Sequence, residues 1–174
     1  MTKKNLKPQD IVVLARILTW GGESWTYEHL GESLRMSASQ AYYALQRAEH
    51  SRLYDVERGR VRRGELQEFL VHGVRYAFAV HPGAPERGVP TAHSAPWAAE
   101  HLVASNGEGL VWPHPAGTHR GLAIEPLHKS VPDVVGDEPA FYELLALVDM
   151  FRVGSRRERG VAEGVLADRL EHSK

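Results

Sequence analysis

Seven arginines fall between residues 35 and 63 (Arg35, Arg47, Arg52, Arg58, Arg60, Arg62 and Arg63), and only Glu49, Asp55 and Glu57 oppose them. That is a local excess of four positive charges in a 174-residue chain of net charge −1. Such an excess attracts an anion such as nucleic acid, or it is a solvated arginine-rich face. Among these arginines lies Ser37-Ala38-Ser39-Gln40-Ala41-Tyr42-Tyr43. Coiled as a helix, this segment turns Ser39, Gln40, Tyr43 and Arg47 outward, with Tyr42 and Gln46 on the flanks. Hydrogen-bond donors, aromatic edges and a cation suit the base edges of a major groove about 12 Å wide. There Arg47 would pair with guanine or phosphate and Gln40 with adenine. The candidate DNA contacts are therefore Ser37, Ser39, Gln40, Tyr42, Tyr43 and Arg47, joined by Arg58, Arg60 and Arg62 just downstream. An amphipathic helix packed in a bundle would share the inner-face spacing, without the polar chemistry at its start.

Other chemistries find less support. Six of the ten histidines lie in the middle of the chain: His81, His93, His101, His114, His119 and His128. Imidazole binds zinc, copper, nickel or iron, but neither HxH nor HExxH occurs, so surface or hydrogen-bonded loop histidines are the simpler reading and no metal site is assigned. No GxxxxGK[ST], no GxSxG and no GxGxxG after a strand is present, and Glu125 and Asp133 are isolated acids. The expectation is a protein that is not an enzyme and carries no cofactor. The absence of cysteine excludes disulfides, thiolate zinc sites, iron–sulfur clusters and a cysteine nucleophile. The apolar run Ile11–Ala15 stops at Arg16, too short to span a bilayer, and no export signal is visible. A cytoplasmic protein without a membrane partner is expected.

The elements that must position the candidate contacts can be read from periodicity. A first helix runs from about Lys7 to Thr19, with Pro8 in its first turn and Ile11, Leu14, Ala15 and Leu18 facing inward, until Gly21-Gly22 stops it. A second begins near Thr26 and buries Leu30 and Leu34; Met36 plugs the gap before the third. That third helix, about residues 37–51, opens with a capping box, the Ser37 hydroxyl and the Gln40 side chain each serving the other's amide. Ala41, Leu45 and Ala48 form its inner face. Leu53–Glu57 and Arg60–Arg62 then alternate around Arg58-Gly59 as a short hairpin, with Arg58, Arg60 and Arg62 near its tip and edge, placed to hold phosphate or enter a narrow minor groove. A further amphipathic helix is expected over about Gly64–Val80.

Beyond it the chain changes character. Nine of ten prolines lie between Pro82 and Pro139, a stretch in which long helices are not expected. Two strands, Gly109–Trp112 and Gly121–Leu127, are expected there, joined as an irregular hairpin by Pro113–Arg120. Asp137-Glu138-Pro139 starts another helix, Gly154 ends it, and Ser155–Glu158 caps a last one. Arg152, Arg156, Arg157 and Arg159 cluster at that junction, where they would contact DNA phosphate or a partner's acidic surface or, on the simpler reading, stand as solvated charge. The fold class expected is mainly α with a small β content. Residues 1–80 would form a DNA-binding unit and residues 81–174 an α+β region for dimerisation, sensing or partner binding.

The segment Leu30–Val61 resembles the winged helix–turn–helix of MarR-like and related bacterial regulators. The resemblance rests on Leu30 and Leu34, Met36-Ser37 in the turn, Ala41, Leu45 and Ala48 in the recognition helix, and Leu53 before the wing, and it covers roughly the first 65 residues. Arg52 departs from it, standing where a glycine commonly ends the recognition helix. The resemblance implies a homodimeric, sequence-specific regulator of transcription that binds double-stranded DNA. Small winged-helix proteins of this kind also occur as antitoxins. The alternative is thus an antitoxin or adaptor that binds a partner protein encoded nearby, such as a nucleotidyltransferase-like toxin, and autoregulates its operon.

Overall fold

Helix α1, Pro8–Trp20, begins where the Lys7 amide donates to Asp10 Oδ2 (2.8 Å) and ends at Gly21, whose φ of 62° closes the last turn. The computed structural model of the protein describes residues 4–102 and 107–172. Helix α2, Tyr27–Ser33, starts at Thr26, whose hydroxyl accepts from the His29 amide (3.1 Å). The chain then reverses within Leu34–Ser37. The Met36 amide donates to Gly31 O (2.8 Å) and the Arg35 amide to Glu32 O (3.1 Å), with Arg35 left-handed at φ 52°. This is a Schellman closure with arginine where glycine is usual. Gly31 is obligatory here, since a Cβ on it would stand 2.6 Å from Met36 O. Helix α3, Ala38–His50, opens with the expected box: Ser37 Oγ accepts from the Gln40 amide (3.1 Å), and Gln40 Oε1 from the Ser37 amide (2.9 Å).

Strands β1, Tyr54–Asp55, and β2, Arg60–Val61, form the expected antiparallel hairpin, turning at Gly59 (φ 62°). The helix expected over Gly64–Val80 is shorter and broken. Helix α4 is Arg63–His72, and a single turn, α5, is Val74–Ala77. Gly73 absorbs the break because a Cβ there would meet the Phe69 ring at 2.9 Å. The chain then leaves helical geometry at Phe78, whose carbonyl accepts from Arg152 Nε (2.9 Å).

The Pro/Gly-rich stretch differs most from expectation. Pro85–Pro90, not anticipated as a strand, is β3. After a 3-10 turn at Ala92–Ser94 and the one-turn helix α6, Ala98–His101, come β4, Leu110–Pro113, and β5, His119–Ala123. β4 and β5 are not a hairpin. Both pair antiparallel with β3, on its two edges, and they pair parallel with each other, closing a three-stranded barrel. Gly88 lies opposite Pro113 on one side and His119 on the other, and residues 114–118 pass over it. Glycine permits this crossing: a Cβ on Gly117 would lie 2.4 Å from Gly88 Cα, and one on Gly88 would lie 2.0 Å from Trp112 O.

Helix α7, Val131–Val134, leads to α8, Pro139–Val153, and α9, Arg156–His172, which opens with the expected Ser155–Glu158 box (Ser155 amide to Glu158 Oε2, 2.7 Å). One apolar core runs without interruption from Ile11 in α1 through Leu45, Leu66, Trp112 and Phe141 to Leu166. Each such side chain, fully buried, contributes roughly 1.5–3 kcal/mol of transfer free energy. Arg16 of α1 fastens the two halves: it lies 3.9 Å from the centroid of the Phe141 ring and donates to Ser33 O and Val134 O. Asp149 of α8 collects the barrel, accepting from Trp112 Nε1 (2.6 Å), Thr91 Oγ1 (2.8 Å) and Arg152 Nη1 (2.8 Å). Arg152, expected as solvated charge, is thus buried in that network.

Candidate nucleic-acid interface

The core takes up Ala41, Ala44, Leu45 and Ala48 of α3. The opposite side of the helix is the line Ser39, Tyr43, Gln46, His50, at steps of four, three and four residues. Ser39, Tyr43 and His50 are exposed and Gln46 is half-buried. At 1.5 Å per residue the line is about 16 Å long. Tyr42 sits on one flank in a ladder of edge-on rings: Trp25 to Tyr27 (5.5 Å between centroids), Tyr27 to Tyr42 (5.4 Å), Tyr42 to Tyr43 (5.3 Å). Aromatic pairs at these distances favour one arrangement over a mobile one. The two outer rings nevertheless remain 42% and 46% exposed, so they are braced from beneath and open above. Lys4, Tyr42, Tyr43, Gln46, Glu49 and His50, with the edge of Arg47, surround a shallow groove of about 420 Å³.

Arg47 reaches that groove only at its edge. It is 6% exposed, and its Nε and Nη2 donate to Asp10 Oδ2 (2.9 Å) and Oδ1 (2.6 Å). Burial pushes the Asp10 carboxyl up from the usual carboxylate range, against the pull of Arg47 and of the Lys7 amide. With its Nε and Nη2 edge committed to Asp10 in the α1–α3 contact, Arg47 has no free fork on that edge, and the pairing with guanine expected of it is not supported by this geometry. Gln40 is reduced as a reader as well. It is exposed, but its Oε1 already accepts from the Ser37 amide, which orients the side chain toward the cap and away from adenine while the box is closed. Ser37 likewise spends its acceptor on the cap.

The hairpin keeps its three arginines exposed. Asp55 lies within 3.9 Å of Arg58 Nε and 3.6 Å of Arg62 Nη2, and also accepts from the Arg58 amide (3.0 Å). Arg60, opposite Asp55 in the register, makes no ion pair of its own among the described residues. Exposed pairs of this kind are worth about 0–1 kcal/mol, so phosphate can displace Asp55 at little cost.

Two further arginines bracket α3. Arg35 precedes it and pairs with Asp133 (3.2 Å). Arg52 follows it at φ 63°, where the Arg52 and Leu53 amides donate to Glu49 O (2.9 Å) and Ala48 O (2.8 Å). The helix therefore ends as a glycine-capped one does, with the cation in glycine's place. Gln46, His50 and Arg52 were not among the residues expected at the site. Gln46 and His50 could have been found from their spacing to Ser39 and Tyr43 alone. No group of three or more histidine or acidic side chains is placed to hold a metal ion among the described residues. No helix among them is long and apolar enough to cross a membrane.

Comparison with family models, with curated proteins and with solved structures finds no match for this chain. The reading of the site rests on its geometry.

Proposed function

We propose that the protein is a sequence-specific regulator of transcription that binds double-stranded DNA with a winged helix–turn–helix. α3 lies in the major groove and the β1–β2 hairpin lies on the backbone. The observation that carries this reading is the outward line Ser39, Tyr43, Gln46, His50, on a helix capped at both ends, between exposed arginines at Arg35 and Arg52 and beside three more on the hairpin. A polar outer side is ordinary for a surface helix, but two exposed tyrosines braced from beneath by a ring ladder, with arginines at both ends of the helix, are not. In a major groove each has a partner. Gln46 offers both an acceptor and a donor to adenine, the edges of Tyr42 and Tyr43 meet thymine methyls, and the arginines take phosphates.

With Arg47 bound to Asp10, α3 presents no guanidinium along this line, so direct reading leans toward A·T pairs. Phosphate contacts supply most of the affinity and make it fall with salt.

The test is fluorescence anisotropy on the duplex upstream of the protein's own gene, against a scrambled duplex, across a salt series. Tight, sequence-dependent binding with a steep salt slope is expected. Gln46→Ala should cost about 1–3 kcal/mol on the native duplex and little on the scrambled one, whereas Arg60→Ala should weaken both and lower the salt slope by about one. Equally weak binding to both duplexes by the unmodified protein would overturn the reading.

A further inference from the structure

The barrel carries a second concentration of positive charge that none of the contacts above use. In the β3–β5 ladder Arg87 stands directly opposite Arg120. Opposed residues in an antiparallel pair point to the same face with Cβ atoms about 4.5–5.5 Å apart, and like charges there repel. The neighbours that share this face are Pro85 and Val89 on β3 and Thr118 and Leu122 beside β5, so no acid lies among them. Glu86, next in sequence, faces the other way, opposite Gly121. Both arginines are exposed, and neither makes an ion pair among the described residues. The two residues are neighbours across the ladder, with no acid paired to either guanidinium among the described residues.

What lies between them is space. Arg87, Ala116, Gly117, Thr118, His119 and Arg120 line a groove of about 520 Å³. Thr118 Oγ1 and His119 Nδ1 are 3.0 Å apart, so hydroxyl and imidazole orient one another at its rim. Two planar five-donor forks beside a hydroxyl match an anion with several oxygens around one centre, and phosphate is that anion.

The groove also adjoins the start of α3. The His114 amide donates to Arg87 O (3.0 Å), His114 Nε2 meets Asp133 Oδ1 (2.9 Å), and the same oxygen pairs with Arg35 (3.2 Å) in the turn before α3. Asp133 is the acid nearest along this chain of contacts, and Arg35 and His114 already engage it.

We propose that Arg87 and Arg120, with Thr118 and His119, form a phosphate-binding groove. Resting on the DNA reading above, its phosphate is a backbone phosphodiester of the bound duplex, beyond the stretch covered by α3 and the hairpin. The barrel then lengthens the footprint on the side where α3 begins.

The double variant R87Q/R120Q tests this in the full chain, both side chains being exposed. Inorganic phosphate, followed by amide NMR, should shift Thr118 and His119 saturably in the unmodified protein and not in the variant. On a long upstream duplex the variant should lower the salt slope by about two, and on a duplex trimmed to the α3 contact by nothing. Loss of the phosphate response with slopes unchanged on both duplexes would keep the groove and assign it a free phosphate-bearing ligand, overturning the duplex as source. No phosphate response in the unmodified protein, with unchanged slopes, would overturn the groove itself. A protein that binds no duplex but whose groove amides still answer phosphate would overturn the DNA reading and leave the groove standing. R120E supplies an independent arm. Turning the repelling pair into an attracting one should raise Tm by about 1–3 °C while abolishing the phosphate response, and a fall in Tm would overturn the argument from repulsion.

Discussion

The helical unit, residues 8–72, and the barrel, residues 85–123, bury their backbones by opposite means. In the first, contacts close to one another in sequence define each element, and one pair of charges, Asp10 and Arg47, ties α1 to α3. In the second, three strands of four to six residues close only because chain segments pass within van der Waals limits at Gly88, Gly117 and Gly121. There one carboxylate, Asp149, gathers donors from the barrel and from its own helix. A periodic unit spreads its specification over many residues, whereas a small closed barrel concentrates it in a few that have no period.

The largest expected effect separates the two charge centres. Asp149→Ala leaves Arg152 buried without its counter-charge and orphans Trp112 Nε1 and the Thr91 hydroxyl. Removing one member of a buried pair costs about 3–5 kcal/mol, and the upper end is expected here. Asp10→Ala strands Arg47 and frees the Lys7 amide at the start of α1, fewer groups than at Asp149, and should fall at the lower end. Urea unfolding of both variants decides the ranking. An Asp10 variant less stable than the Asp149 variant would mean that the helical unit, not the barrel, rests on its charge pair.

Next are the close approaches. Gly117→Ala would drive a Cβ into Gly88 atoms at 2.4–2.5 Å, all of them backbone. Gly31→Ala meets one atom at 2.6 Å and two at 3.0 Å. Overpacking costs about 1–3 kcal/mol, so both variants should lose stability, Gly117→Ala more. Equal urea midpoints would show that the crossing over β3 can relax as readily as the turn between α2 and α3.

The same contrast explains what could be read in the sequence. Helices α1 to α3 were legible to within about a residue, as were the boxes at Ser37 and Ser155, because caps and apolar spacing are local signals. Arg47 was not: on its own helix it sits on the flank between the alanine face and the outward line, and only Asp10, thirty-seven residues earlier, shows why it turns inward. β3 was missed because Pro85 and Pro90 bound it and argue against a strand. β4 and β5 were found but paired wrongly, since a five-residue connection implies a hairpin unless the chain can cross β3 at Gly88. For the site, the residue types were legible, but which of them the caps and the buried pair would consume was not.

The smallest expected effect lies inside the helical unit, at one of its two left-handed arginines. Arg52 holds φ 63°, where a non-glycine residue costs about 1–2 kcal/mol relative to right-handed backbone. Arg52→Gly removes that strain but adds freedom to the unfolded chain, worth about 0.5–1 kcal/mol, so a net gain of a few tenths to 1 kcal/mol is expected. Calorimetry should show Tm rising by about 1–4 °C. If Arg52 also holds phosphate, affinity for the upstream duplex falls at the same time and the salt slope drops by about one. Arg35→Gly relieves similar strain but gives up the pair with Asp133, so it should gain less. A cation retained at a strained position, stabilising nothing in the folded chain that glycine would not, is what a binding surface requires and a purely structural turn does not. Arg52→Gly that gains stability and keeps full affinity would remove Arg52 from the interface and leave its left-handed backbone without a functional reason.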